Sequence, residues 1–218
     1  MTSTTERYVG RIVGIGRTLE GFNAALYRLS SRTFPKRSLQ VSQTTVRVVP
    51  QEGYEHQLDG ERNIFYNAIV TTGKYVVVGN GSHTDFIAEA IDSDLAPQKA
   101  IETVLASLGY ERNEEKTPRI VGVVPGYGDH GWLAIVREDA FIVRRLNLED
   151  GKCTYIATRE VLEPGGASSV MRRLSAAELA EDLVKQEPFC NFSAAIASAV
   201  AVCRYPNAQV GSYFPERV

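Results

Sequence analysis

The chain has 218 residues, with 44% hydrophobic and 23% charged side chains and a formal net charge of −2. This composition is typical of a globular protein with a full hydrophobic core. Proteins that bind extended DNA or RNA usually carry a basic excess, so we expect no nucleic-acid partner. The three cysteines form no CxxC pair, which argues against a disulfide framework and against a cysteine zinc site.

The termini and apolar runs argue against export and membrane insertion. The segment Met1–Arg7 is polar and lacks the apolar core of a signal peptide. The longest apolar stretch, 194–203, is far shorter than the roughly 20 residues of a membrane-spanning helix. We therefore expect a cytoplasmic protein without a membrane partner, folded as one domain over 1–218 with a loose extension at 1–7.

Apolar periodicity and turn residues predict the elements in chain order. Strands are predicted at 8–16, 22–30, 46–50, 64–72 and 74–79, followed by a helix from Pro97 to Gly109. Further strands are predicted at 119–124, 131–137, 140–146 and 153–162, then a surface loop at 163–173. Ser175 and Glu178 form a capping box that starts a second helix, and strands at 194–203 and 209–214 close the chain.

Runs of strands interrupted by few helices predict an α+β fold with mostly antiparallel sheets. Two sheets each need an outer cover, which favours a four-layer αββα sandwich. A single sheet with helices on one side is the simpler alternative.

The basic segment 28–37, Arg-Leu-Ser-Ser-Arg-Thr-Phe-Pro-Lys-Arg, indicates an anionic ligand. Guanidinium groups bind phosphate oxygens with two parallel hydrogen bonds. Alternate side chains of a strand share one face, so Arg28, Ser30 and Arg32 are expected to point into one site. A solvated strand end explains the segment about equally well. The other candidate ligands here are Ser31, Lys36 and Arg37.

The segment 79–85, Gly-Asn-Gly-Ser-His-Thr-Asp, follows an apolar strand and precedes an expected helix. Its glycines permit close approach of a ligand, and backbone N–H groups at a helix start bind anions. A plain turn with a helix cap, supplied by Thr84 or Asp85, is the alternative. The candidate binding residues are Asn80, Gly81, Ser82, His83 and Thr84. Together the two segments predict a pocket for a small anion such as a nucleoside monophosphate.

Three other polar residues are candidates. Tyr66 and Asn67 lie in an apolar strand, where the tyrosine suits simple packing but a buried amide needs partners. Glu111 follows the first helix, and a solvated carboxylate is its simpler interpretation. The three histidines lack metal-ligand spacing, so we expect no metal site.

Several of these segments stand in the same order and spacing as in archaeal-type IMP cyclohydrolases. They are Tyr8-Val-Gly-Arg, Tyr27-Arg-Leu-Ser-Ser-Arg-Thr-Phe-Pro-Lys-Arg, Tyr66-Asn, Gly79-Asn-Gly-Ser-His-Thr-Asp, Tyr110-Glu and Thr117-Pro-Arg-Ile. The chain resembles this family well over about residues 8–135 and only in outline beyond. Lys36 departs from the asparagine expected in many relatives.

The resemblance implies a fold similar to that of N-terminal nucleophile hydrolases, without a processed N-terminal nucleophile. It also implies a homo-oligomer that needs no metal or organic cofactor. The implied reaction closes the purine ring: 5-formamidoimidazole-4-carboxamide ribonucleotide (FAICAR) becomes inosine monophosphate (IMP) and water.

The resemblance also implies site roles. Glu111 would take the proton of the carboxamide nitrogen, and Tyr66 would donate to the formyl oxygen. Arg28 would stabilise charge there or bind the phosphate, while Arg32, Lys36 and the loop 79–84 would hold phosphate and ribose. Replacing Arg28, Tyr66 or Glu111 is expected to lower kcat/KM by about 10²-fold or more.

Two other functions stay open on the sequence. A non-catalytic nucleotide-binding module would keep the basic segment and the glycine loop without needing Tyr66 or Glu111. An amide hydrolase on the same fold would need a nucleophile exposed by processing. Thr2, Ser3 and Thr4 are available for that role, but nothing marks a cleavage site before them.

Overall fold

The computed structural model describes residues 7–55, 64–204 and 207–216. The strands are β1 (Ile12–Arg17), β2 (Asn23–Ser30), β3 (Arg37–Val41), β4 (Thr45–Pro50), β5 (Asn67–Thr71), β6 (Tyr75–Gly79), β7 (Arg119–Pro125), β8 (His130–Arg137), β9 (Ala140–Asn147), β10 (Lys152–Ala157), β11 (Ala167–Val170), β12 (Ala195–Arg204) and β13 (Asn207–Tyr213). The helices are α1 (His83–Asp92), α2 (Pro97–Leu108) and α3 (Ala176–Lys185), with a 3₁₀ turn at Phe189–Asn191.

The strands form two sheets whose neighbours are all antiparallel. The first sheet has the order β11-β10-β1-β2-β12-β13, and the second has the order β3-β4-β5-β6-β7-β8-β9. This confirms the predicted antiparallel α+β architecture.

The sheets stack face to face, and each carries helices on its outer face. Alternation along β2 sends Tyr27 and Leu29 into the core between the sheets, while Leu26 faces the layer under α3. On the second sheet, Ile87 of α1 and Ile101 of α2 pack over the outer face. The layers are therefore αββα, as predicted, and the single-sheet alternative is excluded. In the described ranges no helix is long and apolar enough to cross a membrane.

The sequence patterns do not predict two short edge strands, β3 and β11. β3 begins inside the basic segment, where polar and charged side chains mask its alternation. β11 lies in the stretch predicted as a loop, and pairs with β10 through only four residues, two of them serines. Edge strands have one hydrogen-bonded neighbour and need no continuous apolar run, so their sequence signal is weak.

The contact between β13 and α3 depends on a glycine. A Cβ at Gly211 would overlap the backbone of Ala177 in the first turn of α3. We expect Gly211→Ala to lower the unfolding free energy by about 1–3 kcal/mol, because the helix must move off the sheet. Urea unfolding measures this. The control Gly73→Ala meets no atom within 4 Å and should be neutral; an equal loss in both variants would contradict the explanation.

Candidate active site

A cavity of about 690 Å³ opens at one end of the sandwich. Its lining comes from just before β1 and β5, just after β2 and β6, from the segment between α2 and β7, and from the first residues of β3 and β7. In antiparallel neighbours the start of one strand lies beside the end of the next, so these segments meet at one edge. The volume is within the range of small-molecule sites.

The cavity is lined mostly by polar and charged side chains. They are Tyr8, Arg11, Ser31, Thr33, Arg37, Tyr66, Asn80, Ser82, Glu111, Arg112, Asn113, Glu114, Glu115, Thr117 and Arg119. Arginines and carboxylates thus face the same space, together with the apolar surfaces of Phe34, Ile64 and Phe65. Such a lining suits a ligand that combines an anion with a flat polar ring.

Two tyrosines are hydrogen-bonded at the back of the cavity. The Tyr66 hydroxyl lies 2.6 Å from the Tyr27 hydroxyl, and both side chains are buried. Burial raises the pKa of Tyr27 well above its usual value, and the neighbouring Tyr66 raises it further. Arg37 and Arg11 act in the opposite direction without reversing the shift. Tyr27 is therefore a neutral phenol at neutral pH.

Arg37 supplies a buried cation beside these tyrosines. Its Nε donates to the Phe34 carbonyl at 3.1 Å and its Nη1 to the Ile64 carbonyl at 3.4 Å, which fixes the guanidinium at the cavity wall. Burial lowers the pKa of Arg37, opposed by Tyr66 and Tyr27. A guanidinium stays charged at neutral pH despite such a shift.

Arg11 is a second cation of this wall. Burial lowers the pKa of its guanidinium, but Tyr66, Tyr27 and Glu111 together outweigh that effect and the net shift is upward. Arg11 therefore interacts electrostatically with both the tyrosine pair and the carboxylate.

Glu111 lies in the segment that joins α2 to β7. Its side chain is 19% exposed, and its Oε1 lies 3.5 Å from Nη1 of Arg119. Burial raises the pKa of Glu111, while Arg11, Arg119 and Arg37 oppose the shift. A carboxylate with a raised pKa at a cavity wall is a better base than an exposed one.

Some residues of the glycine loop 79–84 line the cavity, and others hold the loop in place. Asn80 and Ser82 line the cavity, and the Asn80 amide bridges the Pro118 carbonyl at 2.9 Å and the Ile120 N–H at 2.8 Å. A Cβ at residue 81 would lie 3.2 Å from Nη1 of Arg119, so glycine there permits the close approach of that arginine.

His83 and Thr84 are buried beneath the loop. His83 Nε2 lies 3.0 Å from the Ile120 carbonyl, and burial lowers the pKa of this histidine to about 4, so the ring is neutral. Thr84 donates to the Gly81 carbonyl at 2.8 Å. Helix α1 begins at His83 with Ser82 as N-cap, so the predicted caps, Thr84 and Asp85, are wrong.

Arg28 is the main correction to the predicted site. It belongs to the face of β2 opposite Tyr27 and does not line the cavity. Its Nη1 donates to the Phe189 carbonyl at 2.7 Å and its Nη2 donates to the Phe192 carbonyl. Residues 28 and 30 do share one face of β2, as strand alternation predicts. That face is turned toward the outer layer and not toward the cavity. Ser30 is likewise buried outside the cavity lining.

Three other predicted ligands are not part of the cavity lining. Arg32 stacks on the ring of Tyr8 at 4.4 Å, and Lys36 on Tyr54 at 4.6 Å. The Asn67 amide donates to Asp85 at 2.8 Å, which gives this half-buried side chain its expected partner. Ser31 and Arg37 do line the cavity. The cavity arginines Arg11 and Arg119 were missed as site residues, although both stand in segments that carry the family resemblance.

Comparison with known proteins decides the family. A family model described as IMP cyclohydrolase-like protein matches residues 8–207. The chain belongs to this family. It is 38% identical to the IMP cyclohydrolase of Thermococcus kodakarensis over 183 residues, which covers 84% of this chain and 87% of that protein. It is 32% identical to the IMP cyclohydrolase of Methanocaldococcus jannaschii, covering 89% and 93% of the two chains.

A solved structure supports the predicted fold type. The Caenorhabditis elegans N-acylethanolamine-hydrolyzing acid amidase ortholog superposes with a TM-score of 0.53 over 94% of this chain and all of that chain, at 11% identity. This likeness concerns the fold alone, and it fits the predicted αββα sandwich. The candidate nucleophiles Thr2, Ser3 and Thr4 lie outside the described residues. Among the described side chains, no cluster of His, Cys, Asp or Glu is arranged to hold a metal.

Proposed function

We propose that this protein is an IMP cyclohydrolase that converts FAICAR into IMP and water in purine biosynthesis. The supporting observation is a cavity that is lined by Tyr66, by Glu111 and by three cations, Arg11, Arg37 and Arg119. The pKa of Glu111 is raised by burial. Family membership supplies the reaction class, and the cavity supplies the groups that the reaction needs.

The ring closure needs a base, a proton donor and a charge-stabilising group. The carboxamide nitrogen attacks the formyl carbon, and its proton must leave as the new C–N bond forms. The formyl oxygen becomes negative and departs as water, with one hydrogen from each substrate nitrogen. Since both reacting groups belong to one molecule, holding the substrate folded supplies much of the rate.

The described side chains can be assigned to these roles. Glu111 accepts the proton of the carboxamide nitrogen, because burial makes its carboxylate more basic than usual. Tyr66 donates to the formyl oxygen. Arg37 takes the role first expected of Arg28, because its guanidinium is fixed at the cavity wall beside Tyr66 and can stabilise the negative oxygen.

The remaining polar lining holds the substrate. We assign Ser31, Asn80 and Ser82 to substrate binding, as expected from the sequence. Arg32, Lys36 and Asn67 act as support for the cavity wall. From the family resemblance and the net charge of −2 we further propose a homo-oligomer in the cytoplasm, without nucleic-acid or membrane partners.

A metal-free turnover assay tests the function. Purified protein with EDTA is mixed with FAICAR, and IMP is followed by absorbance and chromatography. We expect IMP to form far above the uncatalysed rate. Saturable IMP binding without turnover would instead favour a non-catalytic nucleotide-binding module and contradict the proposal.

The same assay tests the correction at Lys36. Because this side chain stacks on Tyr54 and does not line the cavity, Lys36→Met should keep kcat/KM within about twofold of the wild type. A large rise in KM would show that Lys36 contacts the substrate phosphate after all. Circular dichroism of the variant controls for folding.

A further inference from the structure

The Tyr27 hydroxyl stands behind Tyr66 and does not line the cavity. The Tyr27 side chain is fully buried, and its oxygen lies 2.6 Å from that of Tyr66. Among residues 7–55, 64–204 and 207–216, Tyr66 is the hydrogen-bond partner of the Tyr27 hydroxyl, and no second hydrogen bond of this hydroxyl is formed. A tyrosine that served only to fill the core would need no such partner, since phenylalanine fills the same space.

The hydrogen in this pair has one favourable position. The charged groups near both hydroxyls, Arg11 and Arg37, are guanidinium groups that donate and cannot accept. If Tyr66 donated to Tyr27, the Tyr27 hydrogen would be buried without an acceptor, which is unfavourable. Tyr27 is therefore the donor and Tyr66 the acceptor.

The direction of this bond sets the direction of the next one. The hydrogen of a phenol lies near the plane of its ring, so the Tyr66 oxygen has two in-plane positions for hydrogen. The hydrogen of Tyr27 occupies one of them. The hydrogen of Tyr66 must take the other, which points away from Tyr27, and Tyr66 itself lines the cavity.

We infer that Tyr27 is a positioning residue that, by donating to Tyr66, directs the Tyr66 hydrogen at the substrate oxygen. The inference rests on the proposed function, which supplies the formyl oxygen as acceptor. As the Tyr66 O–H bond breaks and the new O–H bond forms on the formyl oxygen, the electron pair stays on Tyr66. The Tyr27 hydrogen bond then stabilises that oxygen as well.

Tyr27→Phe removes one oxygen atom and keeps the ring. Loss of one hydrogen bond that orients the donor is expected to lower kcat about tenfold, with KM within about twofold of the wild type. Tyr155→Phe is the control, because Tyr155 is also a buried tyrosine but faces the layer under α3. An unchanged kcat in Tyr27→Phe, or a loss confined to KM, overturns the inference.

A double-mutant cycle shows whether Tyr27 acts through Tyr66. Adding Tyr27→Phe to Tyr66→Phe should lower kcat no further, because the hydroxyl that Tyr27 orients is already gone. A second tenfold loss in that background would mean that Tyr27 acts independently, which contradicts the positioning role.

A readout that does not need turnover separates this inference from the proposed function. In protein with labelled tyrosines, NMR should show a slowly exchanging hydroxyl hydrogen that belongs to Tyr27 and shifts in Tyr66→Phe. If the wild type fails to form IMP but this resonance is present, the proposed function fails while the orientation stands. A slowly exchanging hydrogen on Tyr66 that faces Tyr27 overturns the inference whatever the activity.

Discussion

Glu111→Gln is expected to lower kcat/KM by about 10³-fold, within the range found for general acid–base groups. The substitution keeps the shape of the side chain and its contact with Arg119, but an amide cannot accept the carboxamide proton at neutral pH. Initial rates of IMP formation measure the loss. A variant with near-wild-type rates would remove Glu111 from the mechanism.

The pH profile gives an independent test of the same group. Glu111 must be ionised to act as a base, so activity falls as the pH drops through its pKa. Burial raises that pKa above the usual glutamate value, and the acid limb of kcat/KM should therefore lie at higher pH than for an exposed glutamate. This limb should be absent from the residual activity of Glu111→Gln. An unchanged limb would assign it to another group.

Glu111→Gln should lower the activity but should not lower the stability of the fold. A raised pKa means that the folded protein binds the Glu111 proton more tightly than the unfolded chain does. The ionised carboxylate therefore weakens the fold at neutral pH, and this contribution disappears below the unfolded pKa. Glu111→Gln should have a Tm at or above that of the wild type. Such a result also excludes unfolding as the cause of lost activity.

The layer architecture could be predicted from the sequence because it depends on long apolar runs and strong helix signals. The start of α2 at Pro97 and the capping box of Ser175 and Glu178 agree with the structure. Both signals are local, since they involve residues within one turn of a helix. The edge strands β3 and β11 carry no such local signal.

The sequence predicts which segments form the site, but it does not predict the direction in which each side chain of those segments points. Tyr66 and Glu111 line the cavity as expected, while Arg28 and Arg37, from the same basic segment, point to different layers. Which face of β2 meets the second sheet depends on the packing of all layers, and a strand pattern alone does not specify it. Tyr27 shows the same limit, because its hydrogen bond joins β2 of the first sheet to Tyr66, which directly precedes β5 of the second sheet.

A matched pair of substitutions at Arg28 and Arg37 distinguishes these two buried arginines. Both side chains are at most 2% exposed, and both donate to two backbone carbonyls. Lysine keeps the charge at either position but replaces the planar fork by a single ammonium group. The two variants therefore make the same chemical change at two buried positions, Arg28 on the outer face of the first sheet and Arg37 at the cavity wall.

Arg37→Lys should lower kcat/KM by about 10²-fold, as for loss of an oriented donor at a developing oxyanion. Arg28→Lys should leave kcat within about twofold and lower the unfolding free energy by about 1–3 kcal/mol, because one of the carbonyls of Phe189 and Phe192 loses its donor. Rates normalised to folded protein and urea unfolding measure both effects. If Arg28→Lys loses activity while folded and Arg37→Lys does not, the catalytic cation is Arg28, as the sequence predicted, and not Arg37.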